Sequence, residues 1–432
     1  MAGDSAGRTT VEPDELLTLV AHVSEALNRS SYPVPLTNAV IHDICRAYHG
    51  AIETEVFATY IIAIDKKTGQ VTAANTGAMY RFDQIADTEA LVDRLRVGDV
   101  PIPEALAGLA AIADSPAPVN FWLRLLGYLM MALGFAFCFQ MSFAASLAAV
   151  TVSLPIAAIS MWSSIKGTLA ALMPVLLTFL AALAITLWAV HGGLEDSARL
   201  AVIPVVTLIP GAALATSLIE LTSGDMIAGA TRLISALVVL ASMAFGLALA
   251  IDIVGISSSQ LQDLPTDKAP AWVLLLAAPT FGIGSFLYFS TPKRLWGWAI
   301  AFIIATFWLN RLLELWMLPA FAGGLALGVA LLTAWAINAH TRSRPSSLVM
   351  FMPTFWLMVP GSMGFVAVSG AITSDRALGD LGTNAALSLL SMAICMMIAA
   401  VLAPLVTRRP HALDRSVLLT AARTHLRHRD RD

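Results

Sequence analysis

Long apolar runs separated by short polar pieces dominate the chain after residue 118. Ten of these runs have about the 20 residues that a helix needs to cross a membrane. They are centred on residues 121–140, 142–161, 168–190, 200–221, 227–254, 271–290, 295–313, 317–337, 348–372 and 384–406. Turn-rich pieces such as HGGLEDSAR and STPKR lie between them. The pattern predicts an α-helical polytopic membrane protein with ten transmembrane helices.

The first 118 residues follow a different pattern. Helical periodicity covers residues 13–29, 37–49, 87–97 and 102–113. Between these helices, EVFATYIIAIDKKTGQVTAAN alternates apolar and polar residues, which predicts a strand pair with its turn at Lys67-Thr68-Gly69. Residues 1–118 are therefore predicted to form a small α+β domain.

Charge supports a division into segments. Residues 1–118 carry a net charge of −8, and residues 407–432 carry +4. We predict a first five-helix membrane repeat at 119–256, a linker at 257–270, a second five-helix repeat at 271–406 and a basic tail at 407–432. Basic residues favour the loops on the side of the N-terminus, which predicts a plasma membrane protein with both termini in the cytoplasm.

A Pro-Gly pair interrupts two apolar runs in matching surroundings. Pro210-Gly211 and Pro360-Gly361 lie 150 residues apart, and in each copy a second proline precedes the pair and an aspartate follows the glycine by 14 residues. GFAFCFQ and GIGSFLYFS repeat with an offset of 148 residues. Five spans per copy invert the second copy in the membrane, an architecture typical of secondary transporters with broken helices. The alternative is a chance recurrence in a Gly- and Ala-rich chain.

The Pro-Gly pairs predict a substrate site. Proline removes an amide donor and glycine adds backbone freedom, so backbone groups become available at membrane depth, where only a protein-lined cavity tolerates them. A zwitterionic amino acid needs donors for its carboxylate and acceptors for its ammonium group. The predicted substrate-binding residues are Thr207, Pro210, Gly211, Thr216, Pro360, Gly361 and Ser362. The hydroxyl residues among them are alternatively ordinary helix-bonding side chains.

Carboxylates near the spans are candidates for proton coupling, because ionisable groups at membrane depth are costly. The candidates are Glu220, Asp225 and Asp375, with Arg232 near enough in sequence to pair with Glu220. Arg311 and Glu314, three residues apart, can meet on one helix face. Interfacial ion pairing without any role in coupling is the alternative for all of these residues.

Several classes of function lack their sequence signals. Cys45, Cys138 and Cys395 are scattered, and the chain has no Walker loop or dinucleotide fingerprint. The predicted spans contain no histidine, which argues against an intramembrane enzyme. We therefore expect no enzymatic activity, no metal, no cofactor and no nucleic-acid partner.

The layout resembles the threonine/serine exporter (ThrE) family. The matching segments are LIPGAALATSLIELTSGDMIAGATRL and MPTFWLMVPG, together with the strand EVFATYIIAI. The resemblance covers about residues 15–405 and implies a cytoplasmic domain followed by ten helices in two related halves. It also implies export of small hydroxylated amino acids driven by the proton motive force. Two segments of the N-terminal domain, RSSYPVPL and NTGAMYRF, depart from the family pattern.

The resemblance leaves the substrate open. The expected partners are a small amino acid, protons and the lipid bilayer, and a homo-oligomer stays open. The alternative is a transporter of another substrate, such as a lipid-linked precursor or a small peptide.

Overall fold

The computed structural model describes most of the chain. The described residues are 13–57, 60–75, 77–162, 168–192, 197–255, 268–341, 343, 345–358 and 378–407. The second Pro-Gly break and Asp375 lie outside the described residues, as do nearly all of the predicted linker and the basic tail. The predictions for Pro360, Gly361, Ser362 and Asp375 therefore remain predictions.

Residues 13–114, called here the N-terminal unit, combine four helices with one sheet. The elements are α1 (Pro13–Arg29), α2 (Val34–Ala47), β1 (Ile52–Val56), β2 (Tyr60–Asp65), β3 (Val71–Asn75), α3 (Phe82–Leu95) and α4 (Ile102–Asp114). The strands form an antiparallel meander in the order β1-β2-β3, with Ile52 opposite Asp65 and Tyr60 opposite Asn75. Gly69 adopts a φ of 74° in the predicted turn.

The sheet has one strand more than the sequence pattern predicts. The predicted pair is β2 and β3, while β1 adds a second hairpin that the Phe57 amide closes by donating to the Tyr60 carbonyl at 2.9 Å. The sequence pattern does not indicate this turn, because neither of the residues beside it, Phe57 and Tyr60, is a glycine or proline. Arg81 lies before α3 and pairs with Asp83 at 2.9 Å.

Apolar helices make up the rest of the described chain. They are α5 (Phe121–Cys138), α6 (Phe143–Ser160), α7 (Thr168–Gly192), α8 (Ser197–Val202), α9 (Gly211–Ser223), α10 (Met226–Val254), α11 (Val273–Tyr288), α12 (Trp296–Leu313), α13 (Pro319–His340), α14 (Ser347–Met358) and α15 (Leu378–Thr407). Their positions agree with the apolar runs of the sequence.

Six of the described helices are long and apolar enough to cross a membrane. The qualifying segments are Phe121–Cys138, Phe143–Ser160, Ala171–His191, Met226–Val254, Lys293–Leu313 and Pro319–His340. Many large apolar side chains on them are exposed, including Leu147, Phe245 and Leu312. Such surfaces suit lipid and not water. The protein is therefore a multi-pass membrane protein.

The helix pairs of residues 121–255 recur among the later helices. Helix α7 packs along α10, and α13 packs along α15 in the same way. Helix α5 packs on α6 as α11 packs on α12. The 3-10 segment Ile203–Leu208 packs on α6, and α14 packs on α12.

One close helix crossing joins the helices of residues 121–255, the first helix set, to the later helices, the second helix set. Helix α5 meets α11 at glycines, and a Cβ atom on Gly127 would lie 2.6 Å from the Gly284 carbonyl oxygen. A Cβ atom on Gly284 would lie 2.6 Å from the Met131 amide nitrogen. The small residues therefore allow backbone contact between the two helices.

Contacts between distant segments identify the two ends of the helix bundle. At one end, the Ala269 amide donates to the Gln140 carbonyl at 3.1 Å, and Arg311 donates to the Cys138 carbonyl at 3.1 Å. At the other end, Phe289 and Glu220 contact the N-terminal unit. The C-terminus of α5 lies at the first of these ends, and the C-terminus of α11 lies beside the second.

Candidate functional site

A helix break at the first Pro-Gly pair is the centre of the candidate site. Helix α8 tightens into the 3-10 segment Ile203–Leu208, and Ile209 is extended with φ −66° and ψ 123°. Proline at 210 has no amide hydrogen, so the helix cannot continue through it without losing a bond. The Gly211 amide instead donates to the Ile209 carbonyl at 2.8 Å. Helix α9 then begins at Gly211.

The N-terminus of α9 has donors to offer. The first turn of any helix leaves amide groups without intrahelical partners, and aligned peptide dipoles make that end positive. Pro210 provides no side-chain cap here. The Leu214 amide is already taken, since it donates to the Pro210 carbonyl at 3.0 Å. The start of α9 is therefore suited to an anionic group such as a carboxylate.

A cavity lies against this helix start. In this conformation it is narrow, with about 20 Å³ of space that a water-sized sphere can reach. Its lining residues are Met131, Phe135, Val206, Thr207, Ile209, Gly211, Phe289 and Trp356. We call it the break cavity. It has mostly apolar walls with one hydroxyl side chain and the backbone of the break, as small-ligand sites commonly do.

Tyr128 fixes the 3-10 segment from the opposite helix. Its buried hydroxyl donates to the Pro204 carbonyl at 2.6 Å and accepts from the Thr207 hydroxyl at 3.0 Å. A buried tyrosine needs such partners. Sequence reasoning missed Tyr128, although a lone tyrosine in the first apolar run was the available signal. Thr207 thus lines the cavity and also takes part in holding the break.

Glu220 lies about two and a half helical turns after the break, at the end of the bundle that faces the N-terminal unit. Its side chain is fully buried, and its Oε2 lies 3.1 Å from Arg232 Nε. These two atoms are close but not aligned as a hydrogen bond, so the contact is a charge pair. The second oxygen, Oε1, accepts the Val34 amide at 3.3 Å. The predicted pairing of Glu220 with Arg232 is confirmed.

The Val34 contact is a helix cap provided by another segment. Val34 is the first residue of α2, and its preceding residue Pro33 offers no side-chain cap. The Glu220 carboxylate therefore fills the place of a capping side chain, where the positive end of α2 favours a negative charge. Glu220 joins the broken helix to the N-terminal unit.

Asp225 lies in the turn between α9 and α10 and is half-buried. Its amide donates to the Glu220 carbonyl at 2.9 Å, within the cap that Gly224 forms with a φ of 93°. Burial, and next the carboxylate of Glu55 in β1, raise the pKa of Asp225. Asp225 therefore lies beside the N-terminal unit and not in the break cavity.

Thr216 does not reach the break cavity. It is buried and lines a second, larger cavity, with about 100 Å³ of space that a water-sized sphere can reach. We call this one the inner cavity. Among its lining residues are Thr216, Ile219 and Ser223, on one face of α9. The structure thus brings Thr207, Pro210 and Gly211 together and places Thr216 on the next cavity along α9.

A charged cluster marks the opposite end of the bundle. Arg311 pairs with Glu314 at 3.0 Å, as their spacing predicts, and Asn310 donates to the same carboxylate at 2.7 Å. Asp252 is exposed at that end. In the described part of the chain, no group of three or more His, Cys, Asp or Glu side chains has the arrangement of a metal site.

The comparisons with known proteins gave one match. The family described as "Putative threonine/serine exporter" (ThrE) matches residues 18–254, a segment that includes the N-terminal unit, the break and Glu220. No curated protein and no solved structure matches the chain.

Proposed function

The chain belongs to the threonine/serine exporter family, because the matched segment covers more than half of its 432 residues, and we propose that it is a secondary active exporter of threonine and serine. Because this is a family of transporters, the proposal starts from transport and not from enzymatic catalysis. The proton motive force is the proposed energy source.

The observation that carries the proposal is that α9 begins at the break cavity, with no side-chain cap from Pro210. An amino-acid carboxylate suits the free amides and positive dipole of that helix end. The carbonyl groups that a break releases suit the ammonium group. Thr207 is the hydroxyl on the cavity wall, beside Pro210 and Gly211, and it fits a substrate that itself carries a hydroxyl.

Recurrent helix pairing supports the proposed inverted repeat. Each set places the same pairs side by side, and the α5–α11 crossing lies between the sets. With an odd number of crossings per set, the second copy is inverted. We propose ten crossings in all, with the undescribed residues around Pro360, Gly361 and Ser362 completing the site from the second set.

Glu220 is the proposed proton-coupling residue, with Asp225 and Asp375 as the alternatives. A carboxylate that is fully buried against one arginine exchanges a proton only when its surroundings open. Glu220 lies nine residues after Gly211, about 13 Å along the helix. A change at Glu220 would therefore move the same helix whose start binds the substrate.

Orientation follows from the position of the N-terminal unit. The unit caps one end of the bundle, and basic side chains such as Lys293 and Arg294 lie at that end. We propose that this end faces the cytoplasm and that the bundle spans the plasma membrane.

Proteoliposomes provide the test. Purified protein is reconstituted into vesicles, and a pH gradient is imposed across their membrane. Molecules inserted inside-out export solute into the vesicle, so export is measured as uptake of radiolabelled threonine, serine and leucine. We expect concentrative uptake of threonine and serine that a protonophore abolishes, with leucine as the control. Equal transport of leucine, or none of threonine and serine, would overturn the proposal.

One observation favours a second candidate. The inner cavity is larger than the break cavity and mostly apolar, with Trp335, Phe351 and Phe355 in its wall. Such a wall suits a larger amphipathic solute, such as a lipid-linked precursor or a small peptide. In the same vesicles, inhibition of threonine transport by hydrophobic dipeptides but not by serine would favour that candidate.

A further inference from the structure

The N-terminal unit holds the second helix set, α11 to α15, through a broad apolar contact. Phe82 stacks on Phe289 with ring centroids 5.0 Å apart and on Trp356 at 5.8 Å. The Phe82 amide also donates to the Phe289 carbonyl at 3.0 Å. Leu295, Val349 and Met352 belong to the same buried apolar cluster as the core of the unit.

Polar contacts strengthen this attachment. The Tyr32 hydroxyl donates to Glu89 Oε1 at 2.9 Å, and Glu89 also hydrogen-bonds to Ser346, just before α14. Asp87 pairs with Arg294 at 3.7 Å on the exposed rim. The N-terminal unit and the second helix set are therefore joined by a continuous interface of stacked rings, aliphatic side chains and hydrogen bonds.

Among the described residues, the contact with the first helix set, α5 to α10, contains fewer buried apolar side chains. A separate apolar cluster contains only Val34, Val56, Ile61 and Ala228. The Val34 amide adds its hydrogen bond to Glu220. Apolar stabilisation grows with buried area at about 25 cal/mol per Å². Separation of the unit from the first set therefore costs less free energy than separation from the second set.

The inner cavity lies where the three bodies meet. Its roof is the segment Ser31–Leu36 of the N-terminal unit, one wall is the face of α9 from Thr216 to Ser223, and the other walls come from α13, α14 and α15. Thr216 is five residues after Gly211, about 7.5 Å along the helix. The cavity thus follows α9 from the N-terminal unit towards the break.

We infer that the inner cavity is the passage by which solute reaches the break, and that the Ser31–Leu36 segment is its gate, carried by the second helix set and opening against α9. The inference rests on the proposed function. A unit attached to two bodies that move apart must leave one of them, and it leaves the one it holds less tightly. Opening separates Val34 from Glu220 and Ala228.

Gate opening also exposes Glu220. In the closed arrangement the Val34 amide and Arg232 cover its carboxylate. Once the unit moves away, the carboxylate loses its capping amide and faces the passage. Access of solute to the break and access of protons to Glu220 then arise from a single movement.

Two cysteine pairs test the gate. In a background with Cys45, Cys138 and Cys395 replaced by alanine, Val34→Cys with Ala228→Cys ties the unit to the first set. Asp87→Cys with Arg294→Cys ties it to the second set as the matched control. Transport is measured on these two pairs as they stand. Thr216→Cys is added to each in a separate preparation, used only to report access to the passage through its labelling by a membrane-impermeant maleimide in inside-out vesicles, measured by mass spectrometry.

Oxidation should abolish threonine transport and Thr216→Cys labelling in the first pair, and reduction should restore both. The control pair should keep both when oxidised. Transport and labelling that persist in the oxidised first pair would overturn the gate. Loss of both in the oxidised control would show that the second set does not carry the gate. If no reduced variant transports threonine or serine, the proposed function fails, while the labelling still decides on the gate.

Discussion

At the scale of single residues, Glu220 joins sequence reasoning to structure most directly. An acid within an apolar run is conspicuous in the sequence, and so is Arg232 twelve residues later. The Val34 amide is not, because nothing in the local pattern places the start of α2 beside residue 220. The sequence thus indicates the carboxylate and its charge partner. The tertiary fold adds the contact between Glu220 and Val34, which connects both to the N-terminal unit.

We expect Glu220→Gln to uncouple transport from the pH gradient. The amide keeps the shape of the side chain and an acceptor for Val34, but it cannot carry a proton. In proteoliposomes, threonine exchange down its own gradient should persist, and concentration driven by an imposed pH gradient should be lost. Arg232→Gln is the companion variant, because it leaves a buried carboxylate unpaired, which costs about 3–5 kcal/mol. Concentrative uptake by Glu220→Gln would transfer the coupling role to Asp225.

Gly211 tests the break cavity. A leucine side chain at this lining position would occupy the space beside the free amides of α9, so Gly211→Leu should abolish threonine transport while membrane expression persists. Gly297→Leu is the matched control, since a Cβ atom there meets nothing within 4 Å. The measurement is transport per mole of purified protein. Normal transport by Gly211→Leu would place the substrate elsewhere.

Glu89 gives the N-terminal unit a pH dependence. Burial raises the pKa of Glu89 from 4.5 to about 7, against the lowering effect of its bonds with Ser346 and Tyr32, and Asp93 adds to the rise. A raised carboxylate pKa means that the folded state prefers the protonated form. Its stability contribution is complete below pH 4.5 and disappears as the pH rises through about 7. Thermal unfolding should therefore show a melting temperature that falls between pH 5 and pH 8, and Glu89→Gln should flatten this slope. An unchanged slope would assign the titration to another group.

At the scale of helices and strands, composition settles most positions. Apolar runs are enough to place the helices, since length and hydropathy decide what a bilayer accepts. Proline alone does not place the break, since several described helices continue through a proline, among them α6, α7, α11 and α14. The Pro-Gly pair at 210–211 is the signal that marks it. The hairpin between β1 and β2 escapes prediction, because Phe57 and Tyr60 carry no turn signal. The stacking of Phe82 on Phe289 and Trp356 escapes too, since three distant segments provide the rings.

The α5–α11 crossing is a contact between elements that a single added atom would disturb. A Cβ atom on Gly284 would come within 2.6 Å of the Met131 amide and 2.7 Å of the Gly127 carbonyl, and backbone cannot yield as a flexible side chain does. We expect Gly284→Leu to lower the melting temperature of the detergent-solubilised protein and to reduce transport. Overpacking of this kind typically costs about 1–3 kcal/mol. Gly297→Leu again provides the control, and equal melting temperatures would show that the two helices separate easily.

At the scale of the whole molecule, the proposed ten crossings place each exposed connection on one side of the membrane. Helices α10 and α12 end at the face opposite the N-terminal unit, where Asp252 and Leu315 are exposed. Lys293 and Ser343 are exposed in the connections on the side of the N-terminal unit. In the cysteine-free background, an impermeant maleimide should label Asp252→Cys and Leu315→Cys in intact cells. It should label Lys293→Cys and Ser343→Cys only after the cells are permeabilised. The opposite pattern would invert the molecule and turn the proposed exporter into an importer for the same proton gradient. Labelling of Asp252→Cys and Leu315→Cys from opposite sides would contradict the proposed inverted repeat, because an odd number of crossings would then separate these two residues, where α11 and α12 should provide two.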